Sequence, residues 1–115
     1  MITGVHHIAI IVSSEDSIVF YEQLGFAVLR RFERKNDTVV IMEGNGIELE
    51  MFIDPTHPNR ATDPENIGLR HLALKVDNVE KMSQEYECGP IMVDWFNRKY
   101  CFTKDPDGLP IEFHE

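Results

Sequence analysis

His7-Ile8-Ala9-Ile10-Ile11-Val12 recurs 64 positions later as His71-Leu72-Ala73-Leu74-Lys75-Val76. Each copy reads His-aliphatic-Ala-aliphatic-x-Val, the alternation of a half-buried strand, and each precedes an acidic segment with helical character. In the first copy Ile8, Ile10 and Val12 share one face, while His7, Ala9 and Ile11 share the other. The chain is therefore an internal repeat with a histidine at the same place in each half.

Working outward, Ser13 or Ser14 caps a first helix, with Glu15 and Asp16 at its positive end. Ile18, Val19, Tyr21 and Leu24 give it an apolar side, and Gly25 ends it. Extended stretches follow at 26–33 and 38–42. Gly44-Asn45-Gly46 is a hairpin signal leading into the alternating strand Ile47–Ile53. Residues 54–68 hold three prolines and no periodicity, and read as a linker in which His57 and Arg60 are solvated. The second half repeats the order: a strand at 69–76, a helix capped at Asp77-Asn78 and stopped at Gly89-Pro90, strands at 91–96 and 99–104, a turn at Asp105-Pro106-Asp107-Gly108, and a last strand at 109–114.

The pattern predicts two βαβββ modules, 1–53 and 69–115, joined by the 54–68 linker into one domain spanning 1–115. A chain of 115 residues with 43% hydrophobic content holds one domain's core but not two independent ones. Its net charge of −9, with eleven scattered Lys and Arg, excludes a nucleic-acid or anionic-membrane surface. There is no basic start followed by an apolar run, and no stretch of membrane-spanning length, so a cytoplasmic location is expected. Cys88 and Cys101 lack the spacing of a zinc or redox motif and read as ordinary reduced residues.

On each first strand the aliphatic face packs on the helix, which leaves His7 and His71 on the opposite side, each with only an alanine two residues along. On the last strand of each half Ile47, Leu49 and Met51, or Ile111 and Phe113, take the helix face. Glu48, Glu50 and Glu112 therefore point with the histidines. Carboxylates on such a face are costly to desolvate unless paired or metal-bound, and their coincidence with the histidines in both repeats suggests a cation.

Several motifs together resemble the vicinal oxygen chelate superfamily, which includes glyoxalase I, epimerases, extradiol dioxygenases and fosfomycin and bleomycin resistance proteins. These are Val5-His6-His7-Ile8-Ala9-Ile10, Phe20-Tyr21 with Leu24-Gly25-Phe26, Gly68-Leu69-Arg70-His71-Leu72-Ala73, and Asp105-Pro106-Asp107-Gly108-Leu109-Pro110-Ile111-Glu112. The resemblance implies an α+β fold whose paired modules form an open, cup-like incomplete barrel with helices outside, usually as a homodimer. It places metal ligands at His7, Glu50, His71 and Glu112. Glu50 matches the family's Glu-Leu-Glu-Met-Phe ending, whereas Glu48 lies 64 positions before Glu112, the same shift as between the histidines, so both stay open. The resemblance does not say whether one chain or two complete the site.

The His-Glu-His-Glu set is most similar to glyoxalase I and implies one divalent ion, Ni, Co, Mn, Fe or Zn. The implied reaction is a lyase or isomerase step through an enediolate on a small α-hydroxycarbonyl or hemithioacetal substrate. Glu112 is then the base, with Glu50 second. Ile11 stands where bacterial glyoxalase I carries a glutathione-binding arginine, so the thiol carrier is left open. Arg70, Arg98 and Lys99 are candidate grips for an anionic substrate. The rival readings are a non-catalytic small-molecule binding or resistance protein, and an iron dioxygenase or epimerase of the same superfamily.

Overall fold

The computed structural model describes residues 1–115. Its elements run β1 (Ile8–Val12), α1 (Glu15–Gln23), β2 (Ala27–Glu33), β3 (Thr38–Gly44), β4 (Ile47–Ile53), β5 (Leu72–Lys75), α2 (Val79–Tyr86), β6 (Met92–Val93), β7 (Lys99–Lys104) and β8 (Pro110–His114). This is the βαβββ order twice, an α+β fold with two four-stranded mixed sheets in the orders β1-β4-β3-β2 and β5-β8-β7-β6, not closed into a barrel. In each sheet the first strand runs parallel to the last and the other pairings are antiparallel. The chain forms two compact units, Met1–Asn59 and Arg60–Glu115, which meet inside the 54–68 stretch. No helix is long and apolar enough to cross a membrane.

In the first unit the Ser14 hydroxyl caps α1 by accepting from the Asp16 amide at 3.2 Å. The helix buries Ser17, Ile18 and Tyr21 and leaves Val19 half exposed. The sequence had Val19 on the apolar side. At 100° per residue the sheet-facing stripe passes through 17, 18 and 21, and 19 is turned away from it. Gly25 at φ 98° ends the helix as expected. The Phe26 amide donates to the Tyr21 carbonyl at 3.1 Å and that of Gly25 to Glu22 at 3.0 Å. The Tyr21 and Phe26 rings meet edge to face across this turn, the apolar contact that accompanies such a stop.

The β3–β4 hairpin turns on Asn45 and Gly46, at φ 52° and 80°, between the paired residues Gly44 and Ile47. Two successive positive φ values define a type I′ turn. Gly44 is required for a different reason. A side-chain carbon there would lie 2.3 Å from the Gly25 carbonyl oxygen, so the hairpin packs directly on the helix stop. Val40, Met42, Leu49 and Met51 are fully buried.

The second unit is built alike, with Val79, Cys101, Ile111 and Phe113 fully buried. Asn78 caps α2, its side chain accepting from the Lys81 amide at 3.0 Å. Three boundaries differ from the sequence pattern. The helix stops on Glu87, at φ 51°, and not at Gly89, whose amide is taken by the Phe102 carbonyl at 2.9 Å. Strand β5 omits 69–71, and Leu69 is 83% exposed. Strand β6 is only Met92–Val93, because the Asp94 carboxylate accepts from the Phe96 and Arg98 amides at 2.8 and 2.9 Å and folds 94–98 into a turn. Trp95 and Phe96, assigned to a strand by their apolar character, are therefore exposed on that turn.

Candidate metal centre

Each first strand lies beside its last strand, and the register fixes which side chains share a face. Ala9 sits opposite Glu50, and Ala73 sits opposite Glu112. Glu50 is therefore the positional counterpart of Glu112, although Glu48 matches it by sequence spacing. A residue with no side chain beyond Cβ next to each carboxylate leaves it room to lean toward the histidine preceding the strand.

That is what both modules do. His7 Nε2 lies 3.0 Å from Glu50 Oε2, and His71 Nε2 lies 3.2 Å from Glu112 Oε1. All four side chains are partly buried, from 13% exposed at Glu112 to 36% at His7. The structure thus brings His7 to Glu50 in one module and His71 to Glu112 in the other.

The surroundings of the two pairs differ. His7 turns its Nδ1 to His6 Nδ1 at 2.9 Å, with the rings near perpendicular, and His6 Nδ1 is 3.9 Å from Glu48 Oε2. Donor atoms of His6, His7 and Glu48 all lie within 4.8 Å of one another. Glu48 thus joins His6 and His7 in one cluster, in which His6 had no role in the sequence pattern and whose only signal was the adjacent His6-His7. In the second module Arg70 occupies the place of His6 and pairs with Glu65 at 3.0 Å. His71 Nδ1 is buried without a hydrogen-bond partner, and its ring stands edge-on to Phe102.

Beyond Glu112 lies a second row of inward residues, Lys75, His114 and Tyr100, paired across β5, β8 and β7. His114 Nε2 is 3.0 Å from Asp94 Oδ2 and its ring stacks on Tyr100. The hydrogen bonds from the Arg98 and Phe96 amides, with His114 beside it, hold the Asp94 carboxyl below the usual range. Alternation from Glu112 puts His114 on the same face, a signal present in the sequence. Of the three candidate cations, Arg70 is paired with Glu65 and Lys99 with Glu80 of α2. Arg98 makes no ion pair and lines a cleft of about 270 Å³ with Glu112 and His114.

Taken separately, the donors of each pair fit a divalent ion. Two ligands at right angles on a metal with bonds of about 2.1 Å stand about 3.0 Å apart. Each histidine–carboxylate pair has that spacing. Imidazole and carboxylate without thiolate suit the middle and later first-row metals.

The chain belongs to the glyoxalase/bleomycin resistance protein/dioxygenase superfamily, whose family model matches residues 4–113. Among its relatives is the uncharacterized protein YwkD of Bacillus subtilis, 38% identical across the whole of this chain and 98% of its own length. Two solved structures are also similar. SMU.1112c is 38% identical with a TM-score of 0.90 over all of both chains. A glyoxalase family protein from Enterococcus faecalis is 41% identical with a TM-score of 0.86, over 97% of each chain. The lactoylglutathione lyase of Agrobacterium tumefaciens, at 15% identity and a TM-score of 0.70 over 98% of this chain and 93% of its own, shares the fold alone.

Proposed function

We propose that this protein is a divalent-metal-dependent lyase or isomerase of the glyoxalase I kind, acting as a cytoplasmic homodimer on a small α-hydroxycarbonyl or hemithioacetal. His7, Glu50, His71 and Glu112 are the four ligands of one ion, Ni, Co, Mn, Fe or Zn, and the two modules work as one domain. The observation that carries the reading is the repetition of a His–Glu pair, at the same register and nearly the same distance, in two modules of different local sequence. A single such pair is an ordinary hydrogen bond, but its duplication follows the quartet the superfamily resemblance implies.

A bound divalent ion would supply Lewis acidity toward two neighbouring substrate oxygens. The protein's own part is proton transfer. Glu112 is the more enclosed of the two carboxylates, at 13% exposed against 27% for Glu50. Enclosure excludes water and favours Glu112 as the base for the proton next to the carbonyl, with Glu50 as the second acid–base group. Phe102, directly opposite Glu112, provides an apolar wall on that side.

The test is metal analysis after native purification, followed by assays of methylglyoxal with several thiols, metal by metal. One ion per chain is expected, with turnover falling by about 10²- to 10⁴-fold in Glu112→Gln. Absence of stoichiometric metal, or full activity in Glu112→Gln, overturns the reading.

A further inference from the structure

In this acid-rich chain the cations Arg31, Arg34, Arg60, Arg70 and Lys99 are each tied to a carboxylate. Lys75 and Arg98, like Arg30, Lys35, Lys81 and Lys104, are not, and of these Lys75 and Arg98 alone line the cleft that holds Glu112, His114 and Glu115. Glu112 and Glu115, which line the cleft, and Asp94, which pairs with His114, are already engaged. Glu112 faces His71, Asp94 holds its own turn and His114, and Glu115 accepts from the Val79 amide at the start of α2 at 3.0 Å. His114 is also committed at both nitrogens, to Asp94 and to the main-chain oxygen of Glu115. The cleft therefore offers an incoming group two cationic side chains without an ion pair, beside carboxylates that already have partners.

We propose that Lys75 and Arg98 form an anion subsite beside Glu112, which takes a carboxylate or phosphate carried by the substrate. Lys75 lies one row from Ala73, Glu112's neighbour, and two residues along a strand span roughly 7 Å. The substrate's anionic group thus sits a few bonds from the oxygens that would meet the metal. That spacing rests on the metal reading of Glu112, whereas the subsite itself does not. The guanidinium fork of Arg98 grips two oxygens at once, and the ammonium of Lys75 adds a point charge. His114, stacked on Tyr100, lines the cleft with them.

The experiment titrates inorganic phosphate, and separately acetate, into the full chain with and without chelator, followed by amide and arginine side-chain NMR shifts. Metal content is measured on the same samples. Saturable shifts at Arg98, β5 and β8 are expected without metal, weakened about tenfold in the Lys75→Gln/Arg98→Gln double variant. Lys99→Gln, whose charge faces α2, should bind within about twofold of the parent. Stronger response to phosphate identifies a phosphorylated substrate, and stronger response to acetate a carboxylate. If the double variant responds as the parent does, or no saturable shift occurs, the subsite is overturned even where metal is present at one ion per chain. If no metal is found while the Arg98-dependent shifts persist, the metal reading fails and the subsite stands.

Discussion

Glu48 and Glu50 lie on the same face of β4, one pleat apart, and only cross-strand register separates them. Glu50 stands opposite Ala9 and is 3.0 Å from His7, whereas Glu48 is 3.9 Å from His6 and within 4.8 Å of His7. Replacing a ligand should cost far more than replacing a group that orients one. If Glu50 is a ligand as proposed, Glu50→Gln is expected to weaken metal affinity by more than about 100-fold, and Glu48→Gln or His6→Ala by about 10- to 100-fold, measured by competition with a chelating dye. Equal losses in Glu48→Gln and Glu50→Gln would reject this order. Cys88 illustrates a different residue-scale effect, since burial and the neighbouring Cys101 push its thiol up to about 12. A thiol with so little thiolate at neutral pH is a poor nucleophile. Iodoacetamide at pH 8 should label native Cys88 much more slowly than the unfolded chain, and rapid labelling of the folded protein would contradict this environment.

At the scale of elements, the contact between hairpin and helix stop sets the first module. Gly44→Ala presses a methyl onto the Gly25 backbone and should destabilise by about 1–3 kcal/mol or more in urea unfolding. Asn45→Gly keeps the type I′ turn and loses only the bond from Asn45 Nδ2 to the Leu24 carbonyl, so about 0.5–1.5 kcal/mol is expected. A reversed ranking would place the constraint in the turn and not in the packing. The start of α1 is held to β2 by Glu15 and Arg31, whose paired hydrogen bonds lower the Glu15 pKa from 4.5. A depressed carboxyl contributes stability above its unfolded value, and the contribution is lost as pH falls through the folded value. Both side chains are more than a third exposed, so screening limits a double-mutant cycle to about 0.2–1 kcal/mol at pH 7. That coupling should fade as pH falls below 4.5 and at high salt.

For the molecule as a whole, metal binding and stability are linked if the four ligands serve one ion. Raising free metal to 100 times its Kd should add about 2.7 kcal/mol to unfolding, and EDTA should reverse it. Core truncation acts independently of metal: Leu49→Ala or Phe113→Ala, each at a fully buried position, should cost about 2–5 kcal/mol with or without it. The double βαβββ order, both helix caps and the inward glutamates were legible in the sequence, because alternation and capping chemistry depend on residues near one another in the chain. Shorter β5 and β6 were not legible, since Asp94's capture of two amides outweighs the strand propensity of Trp95 and Phe96. The sequence by itself determined the repeat, the two histidines and a choice between two glutamates, all of which follow from a period of two along single strands. Only the tertiary structure decided that Glu50 is the counterpart of Glu112, that Arg98 rather than Arg70 or Lys99 is left without an ion pair, and that His114 shares the face of Glu112 beside Asp94. Those are relations across strands and turns, and cross-strand register is set by how the sheets and helices pack.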